Sequence, residues 1–152
     1  HQLDERTDIH KEYGLGEAYH EDNTTIQQLW YTDAQVDFKE LGKQLGMEVI
    51  TVSSILQPPG NVIALHRDTF FQINKRFPDD KRTKVRANLY LEDWKVGHMI
   101  QYQDINDGKK WKTSDNWKAG DGFIWSSDVL HLSANAGMKD KYTLQVSGFS
   151  VD

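Results

Sequence analysis

From residue 48 onward the chain divides into eight short runs rich in β-branched and aromatic residues, and this punctuated rhythm limits the folds open to it. The runs are EVITVSSIL, NVIALHRD, TKVRANLYLED, HMIQYQD, KKWKTSDNW, GFIWSS, HLSANA and KYTLQVSGFS. Between them QPPG, FPDD, KVG, INDG, KAGDG and AGMKD supply the Pro, Gly, Asn and Asp that turns require. Short strands joined by turns predict an antiparallel sandwich or barrel.

Upstream the pattern differs. HQLDERTDIHKEYGLGEAYHEDNTT is polar and Gly-punctuated without a sustained period, and reads as an irregular, lid-like extension. DAQVDFKELGKQLGM then places Val36, Phe38, Leu41 and Leu45 at helical spacing, with Gly46 where a helix would stop. At 152 residues, with no repeat and no low-complexity linker, one domain is expected: an extension over 1–47 and a β core over 48–152.

Composition narrows the chemistry. The absence of cysteine excludes disulfides, zinc–cysteine sites, iron–sulfur clusters and thiol nucleophiles, so any metal must use His, Asp, Glu or carbonyl ligands. With 18 basic and 23 acidic residues the net charge of −5 argues against nucleic acid as a partner. The cluster NKRFPDDKRTKVR is mixed in sign and reads as a solvated loop. No run approaches the roughly 18 apolar residues of a membrane span, and the first residues do not resemble a signal peptide. No membrane association and a cytoplasmic setting are therefore expected.

In KVRANLYLE, Val85, Ala87, Leu89 and Leu91 share one face of a strand, and Arg86, Asn88 and Tyr90 share the other. The second face is either an outer, wet surface or the lining of a polar cavity. Within IALHRDTF, His66 and Asp68 stand two apart, where an extended chain turns both to one side. His-x-Asp alone is weak, and a local hydrogen-bonded pair at a strand end would explain it equally well. A second imidazole, His131, opens a later strand-like run. Two His and one carboxylate from neighbouring strands form the facial triad that leaves positions open on an octahedral Fe(II). Lys141 and Thr143 share a face of the last run, where an ammonium beside a hydroxyl suits the far carboxylate of a bound diacid; the alternative is an exposed strand lysine.

In the order HRD, RANLYLEDW, WKAGDGFIWSSDVLHLSANAG and KYTLQVSGF, the chain over roughly residues 50–150 resembles the Fe(II)/2-oxoglutarate-dependent oxygenases, and more narrowly their aspartyl/asparaginyl β-hydroxylase and bacterial proline hydroxylase branch. The resemblance implies a mainly β fold, a double-stranded β-helix (jelly-roll, cupin-like) with one or two short helices in the N-terminal part. It implies that His66, Asp68 and His131 bind Fe(II), and that Lys141, assisted by Thr143, holds the distal carboxylate of 2-oxoglutarate. Lys141 stands where the branch usually has Arg, and holds a carboxylate as a point charge instead of a fork. Arg86 and Asn88 match positions that help hold cosubstrate or substrate, and Tyr90 shares their face. An intact Asp68 favours hydroxylation over halogenation. The implied activity is a dioxygenase that consumes O₂ and 2-oxoglutarate, releases succinate and CO₂, and hydroxylates an amino acid, free or within a polypeptide, with ascorbate as a candidate reductant. Two alternatives are a cupin-like metalloenzyme that uses no 2-oxoglutarate and a non-catalytic jelly-roll binding module.

Other residues read more plainly. His98 reads as a cavity residue or, the preferred reading, a strand-edge residue facing solvent, and His1, His10 and His20 are expected in solvent. Phe123 and Trp125 read as core aromatics. Asp128 is either an acceptor that orients His131 or a turn residue, and Ser133 and Asn135 follow His131 on its face. QPPG reads as a turn with no chemistry, and TFFQINKRF as a loop or lid that carries substrate selectivity.

Overall fold

The computed structural model describes residues 27–151. The irregular reading of the first 25 residues, and with it His1, His10 and His20, lies outside them. In chain order the elements are β1 (Gln27–Tyr31), α1 (Phe38–Leu45), β2 (Met47–Gln57), β3 (Val62–His66), α2 (Phe71–Arg76), β4 (Lys84–Tyr90), β5 (His98–Asp104), β6 (Lys110–Ser114), β7 (Gly122–Trp125), β8 (His131–Asn135) and β9 (Lys141–Ser150). All eight expected strands form. The chain adds β1 and α2, which the sequence pattern did not reveal.

The strands make two antiparallel sheets, β1-β2-β9-β4-β7 and β3-β8-β5-β6, the jelly-roll arrangement. The long β2–β9 pair runs from Met47↔Ser150 to Gln57↔Lys141, with a bulge between Val49 and Thr51, and β4 lies on the other side of β9. Among the described residues no helix is long and apolar enough to cross a membrane.

The two faces of the larger sheet differ in polarity, and this difference positions the site. On one face Val52, Val85, Ala87 and Val146 form a core with Met47. α1 covers it with Phe38, Leu41 and Leu45. Asp37 caps that helix by accepting from the Glu40 N–H at 3.0 Å, and Gly46 ends it in the left-handed region at φ 69°. Val52 and Val146 are wholly buried, and each such side chain is worth about 1.5–3 kcal/mol. Leu91, expected on this face, falls beyond the end of β4 and is exposed.

The opposite face, turned toward the smaller sheet, carries Ser53 and Gln57 of β2, Asn88 and Tyr90 of β4, and Lys141, Thr143 and Ser147 of β9, all buried. Arg86, Asn88 and Tyr90 therefore line an interior, which resolves the choice that periodicity left open. Aromatic packing closes one end: Tyr90 stacks on Trp117 at 3.7 Å, and Trp125 and Phe123 pack beside Tyr102.

Candidate metal centre

His66 closes β3, His131 opens β8, and the two are register partners in one sheet. Their ring centroids lie 4.3 Å apart. Asp68 is not on the strand: β3 ends at His66, and the carboxylate returns from the segment leaving it. Asp68 Oδ1 stands 3.4 Å from His66 Nε2 and 3.5 Å from His131 Nε2. One donor atom from each of the three residues lies within 4.8 Å of the others, and all three residues are buried. Arg67, between the first two, is exposed.

The tautomers follow from the backbone. His66 Nδ1 lies 2.6 Å from the Ala64 carbonyl and His131 Nδ1 3.0 Å from that of Val129. A carbonyl only accepts, so each Nδ1 carries the proton and each Nε2 turns its lone pair toward Asp68. Asp128, a candidate to orient His131, is exposed and pairs with Ser126; the Val129 carbonyl orients the ring instead.

Asp68 is 2% exposed. Burial alone would raise its carboxyl, but the charge of Arg86, first among the groups around it, outweighs burial and holds it well below the usual carboxylate range. The Arg86 Nη1 donates to Oδ1 at 3.0 Å, while its Nε donates to Ser147 Oγ at 2.8 Å and its guanidinium lies over the Phe70 ring. Asp68 Oδ2 is buried without a hydrogen-bond partner among the described residues. An ionised oxygen left unsatisfied beside two imidazole lone pairs fits a divalent cation, and the donor set of two nitrogens and one oxygen suits Fe(II). These three residues could hold one metal ion.

Comparison with known structures agrees with the architecture. The chain superimposes on a Pseudomonas putida prolyl-4-hydroxylase with a TM-score of 0.59 and 24% identity, over 97% of this chain and 84% of that one. The likeness is one of fold. An oxalate oxidase (TM-score 0.48, 12% identity, 82% of this chain and 51% of that one) and a cupin domain from Bordetella pertussis (0.47, 11%, 83% and 95%) are more distant. No family model and no protein of curated function matches the sequence.

Lys141 lies at the β2 side of the same interior, 1% exposed. Its Nζ donates to Ser133 Oγ at 2.9 Å, Gln57 Oε1 at 3.2 Å and Thr143 Oγ1 at 3.2 Å. The rings of Tyr90 and Trp117 stand 5.9 and 5.8 Å from it. Among the described residues no carboxylate pairs with it, and burial pushes its ammonium down to about 7. The reading of Lys141 as an exposed strand lysine is thereby excluded. Gln57, assigned no chemistry from the sequence, is wholly buried and is the Lys141 partner across the β2–β9 ladder. Its inward parity with Ser53 and Ile55 was the available signal.

Thr143 and Ser133 thus stand with Lys141, whereas Arg86 stands with Asp68. Asn88 lies between β7 and β9 on the inner face, its Nδ2 buried without a partner among the described residues. Trp125 packs its ring 4.6 Å from His131. His98 is buried, against the expectation of a strand edge in solvent, because its Nε2 meets the Lys139 carbonyl at 2.8 Å. Asn135 is a clamp, donating to the Gln57 and Lys139 carbonyls.

A cleft of about 600 Å³ opens from the surface to His66 and Arg86. β1 and α2, the two elements the sequence pattern missed, supply part of its walls, with residues of β2, β3, β4 and β9 completing them. Phe70 starts α2 in the left-handed region at φ 52°, an uncommon place for a bulky side chain, and its buried ring forms part of the lining. TFFQINKRF, expected as a loop, is thus largely a short helix beside the cleft.

Proposed function

We propose that the protein is a non-haem Fe(II)- and 2-oxoglutarate-dependent dioxygenase that hydroxylates an amino acid or polypeptide side chain. The observation that carries this reading is the placement, within one interior, of a two-His-one-Asp cluster and a buried lysine without a carboxylate partner among the described residues. His66, Asp68 and His131 would hold the metal. Lys141, with Thr143, Ser133 and Gln57 around its ammonium, would receive the distal carboxylate of 2-oxoglutarate. Fe(II) bound there supplies the redox chemistry that couples decarboxylation of 2-oxoglutarate by O₂ to hydroxylation of a substrate C–H bond.

The chain's own residues serve that chemistry in distinct ways. Arg86 keeps Asp68 ionised and restrains it through a second bond to Ser147. The two backbone carbonyls at the Nδ1 atoms fix both imidazoles in the metal-binding tautomer. Asn88 offers an idle amide donor on the inner face for an oxygen of the cosubstrate. Trp125, Tyr102 and Phe123 form a wall beside His131 that excludes water. The cleft bounded by β1 and α2 admits the substrate to His66.

A cupin-like metalloenzyme that uses no 2-oxoglutarate is the second reading. The three hydrogen bonds of Lys141 favour it, because they already engage every proton of its ammonium. Anaerobic calorimetry separates the two. The Fe(II)-loaded protein is expected to bind 2-oxoglutarate, and Lys141→Met to weaken that binding about a hundredfold while Fe(II) affinity stays constant. A parent protein that binds Fe(II) but not 2-oxoglutarate supports the second reading.

A further inference from the structure

The cleft that reaches His66 continues into a second hollow of about 350 Å³, and the two share Trp30, Thr51, Gln72 and Arg76. Together they form a groove bordered by β1 and α2. Among the described residues that line the two hollows, none is Asp or Glu. The charged groups of the groove are cations: Arg86 at its floor, committed to Asp68, and Lys75 and Arg76 on α2. Both α2 cations are exposed, and neither has an acidic partner among the described residues. In a chain of net charge −5, two cations in a groove with no acid among its described lining residues are a local segregation of charge.

The apolar part of the groove is equally specific. Phe70 and Ile73 are buried in its wall, while Trp30 on one rim and Phe71 on the other remain 48% and 59% exposed. Half-exposed aromatics on the rims of a polar-lined channel are area that an extended chain would cover and a small molecule at the floor would not.

We infer that the groove binds an acidic, extended peptide, with carboxylates on Lys75 and Arg76, backbone and apolar side chains against Trp30 and Phe71, and one side chain descending past Phe70 toward His66. This rests on the hydroxylase reading for what happens at His66, but binding itself needs neither metal nor cosubstrate. Charge complementarity of this kind acts on association rate and partner choice, and it weakens with salt.

The test uses the full chain, metal-free, on an array of random octapeptides grouped by net charge, with the tightest binders then titrated in solution by fluorescence anisotropy. Acidic peptides are expected to dominate the bound set, replacement of their Glu by Gln to weaken binding about tenfold, and the K75Q/R76Q double variant to lose the preference. Free glutamate at millimolar concentration is expected not to displace them. An array without charge preference, or without any binder, overturns the proposal, as does a double variant that binds like the parent. Displacement by free glutamate as effective as by the peptide overturns it in favour of a small acid. Because iron and 2-oxoglutarate are absent, failure here leaves the hydroxylase reading standing, and failure of that reading leaves this result unaffected.

Discussion

Burial of Lys141 among Gln57, Ser133 and Thr143 gives its ammonium three neutral acceptors and no counter-charge among the described residues. Desolvation therefore dominates and pushes it down to about 7 from 10.5. An incoming carboxylate restores the charged form. Binding of 2-oxoglutarate is thus expected to take up about one proton at pH 8.5 and almost none near pH 6, where Lys141 is already charged. Calorimetry in buffers of different ionisation enthalpy reads this directly, and equal uptake at both values would count against the role of Lys141. The free protein carries the opposite sign to an ion-paired lysine. Its folded value lies below its unfolded one, so the native state gains stability as pH rises from about 7 toward 10.5. In urea titrations across that range, Lys141→Met is expected to remove this slope.

At the scale of elements, the site depends on loops that bring strand ends together. Gly97, before β5, has φ 89°, and a Cβ there would stand 2.3 Å from the Gly137 backbone nitrogen in the β8–β9 loop. Gly97→Ala is expected to cost about 2–4 kcal/mol in urea denaturation, since neither backbone can yield without moving β8 or β9. Asp37→Ala, which removes only the cap of α1, is expected to cost about 1 kcal/mol and to leave metal binding unchanged. The β core and α1 were legible in the sequence because alternation, helical spacing and turn residues act locally. QQLWY of β1 was not, since it has no alternation of its own and becomes a strand by pairing with β2. α2 was hidden because six residues beginning at a left-handed Phe70 offer no capping signal. His66, Asp68 and His131 could be singled out by residue type and order. The engagement of Gln57 with Lys141 could not, because the two stand 84 residues apart and meet only through the β2–β9 register.

At the scale of the described molecule, one apolar core lies on the outer face of the larger sheet, under α1, while the space between the sheets combines an aromatic cluster with many of the buried polar groups. Such an interior is costly unless its groups are satisfied, and Asp68 Oδ2 and Asn88 Nδ2 are left without partners among the described residues. A bound metal and an oxoacid would satisfy them, which links the cost of the interior to its use. The most direct measurement is anaerobic visible spectroscopy of the full chain with Fe(II) and 2-oxoglutarate. The expected result is a weak charge-transfer band in the parent protein, absent from His66→Ala and Asp68→Ala, and in Lys141→Met appearing only at about a hundredfold higher 2-oxoglutarate. A folded parent protein without the band, or a band that survives both ligand substitutions, would contradict the account.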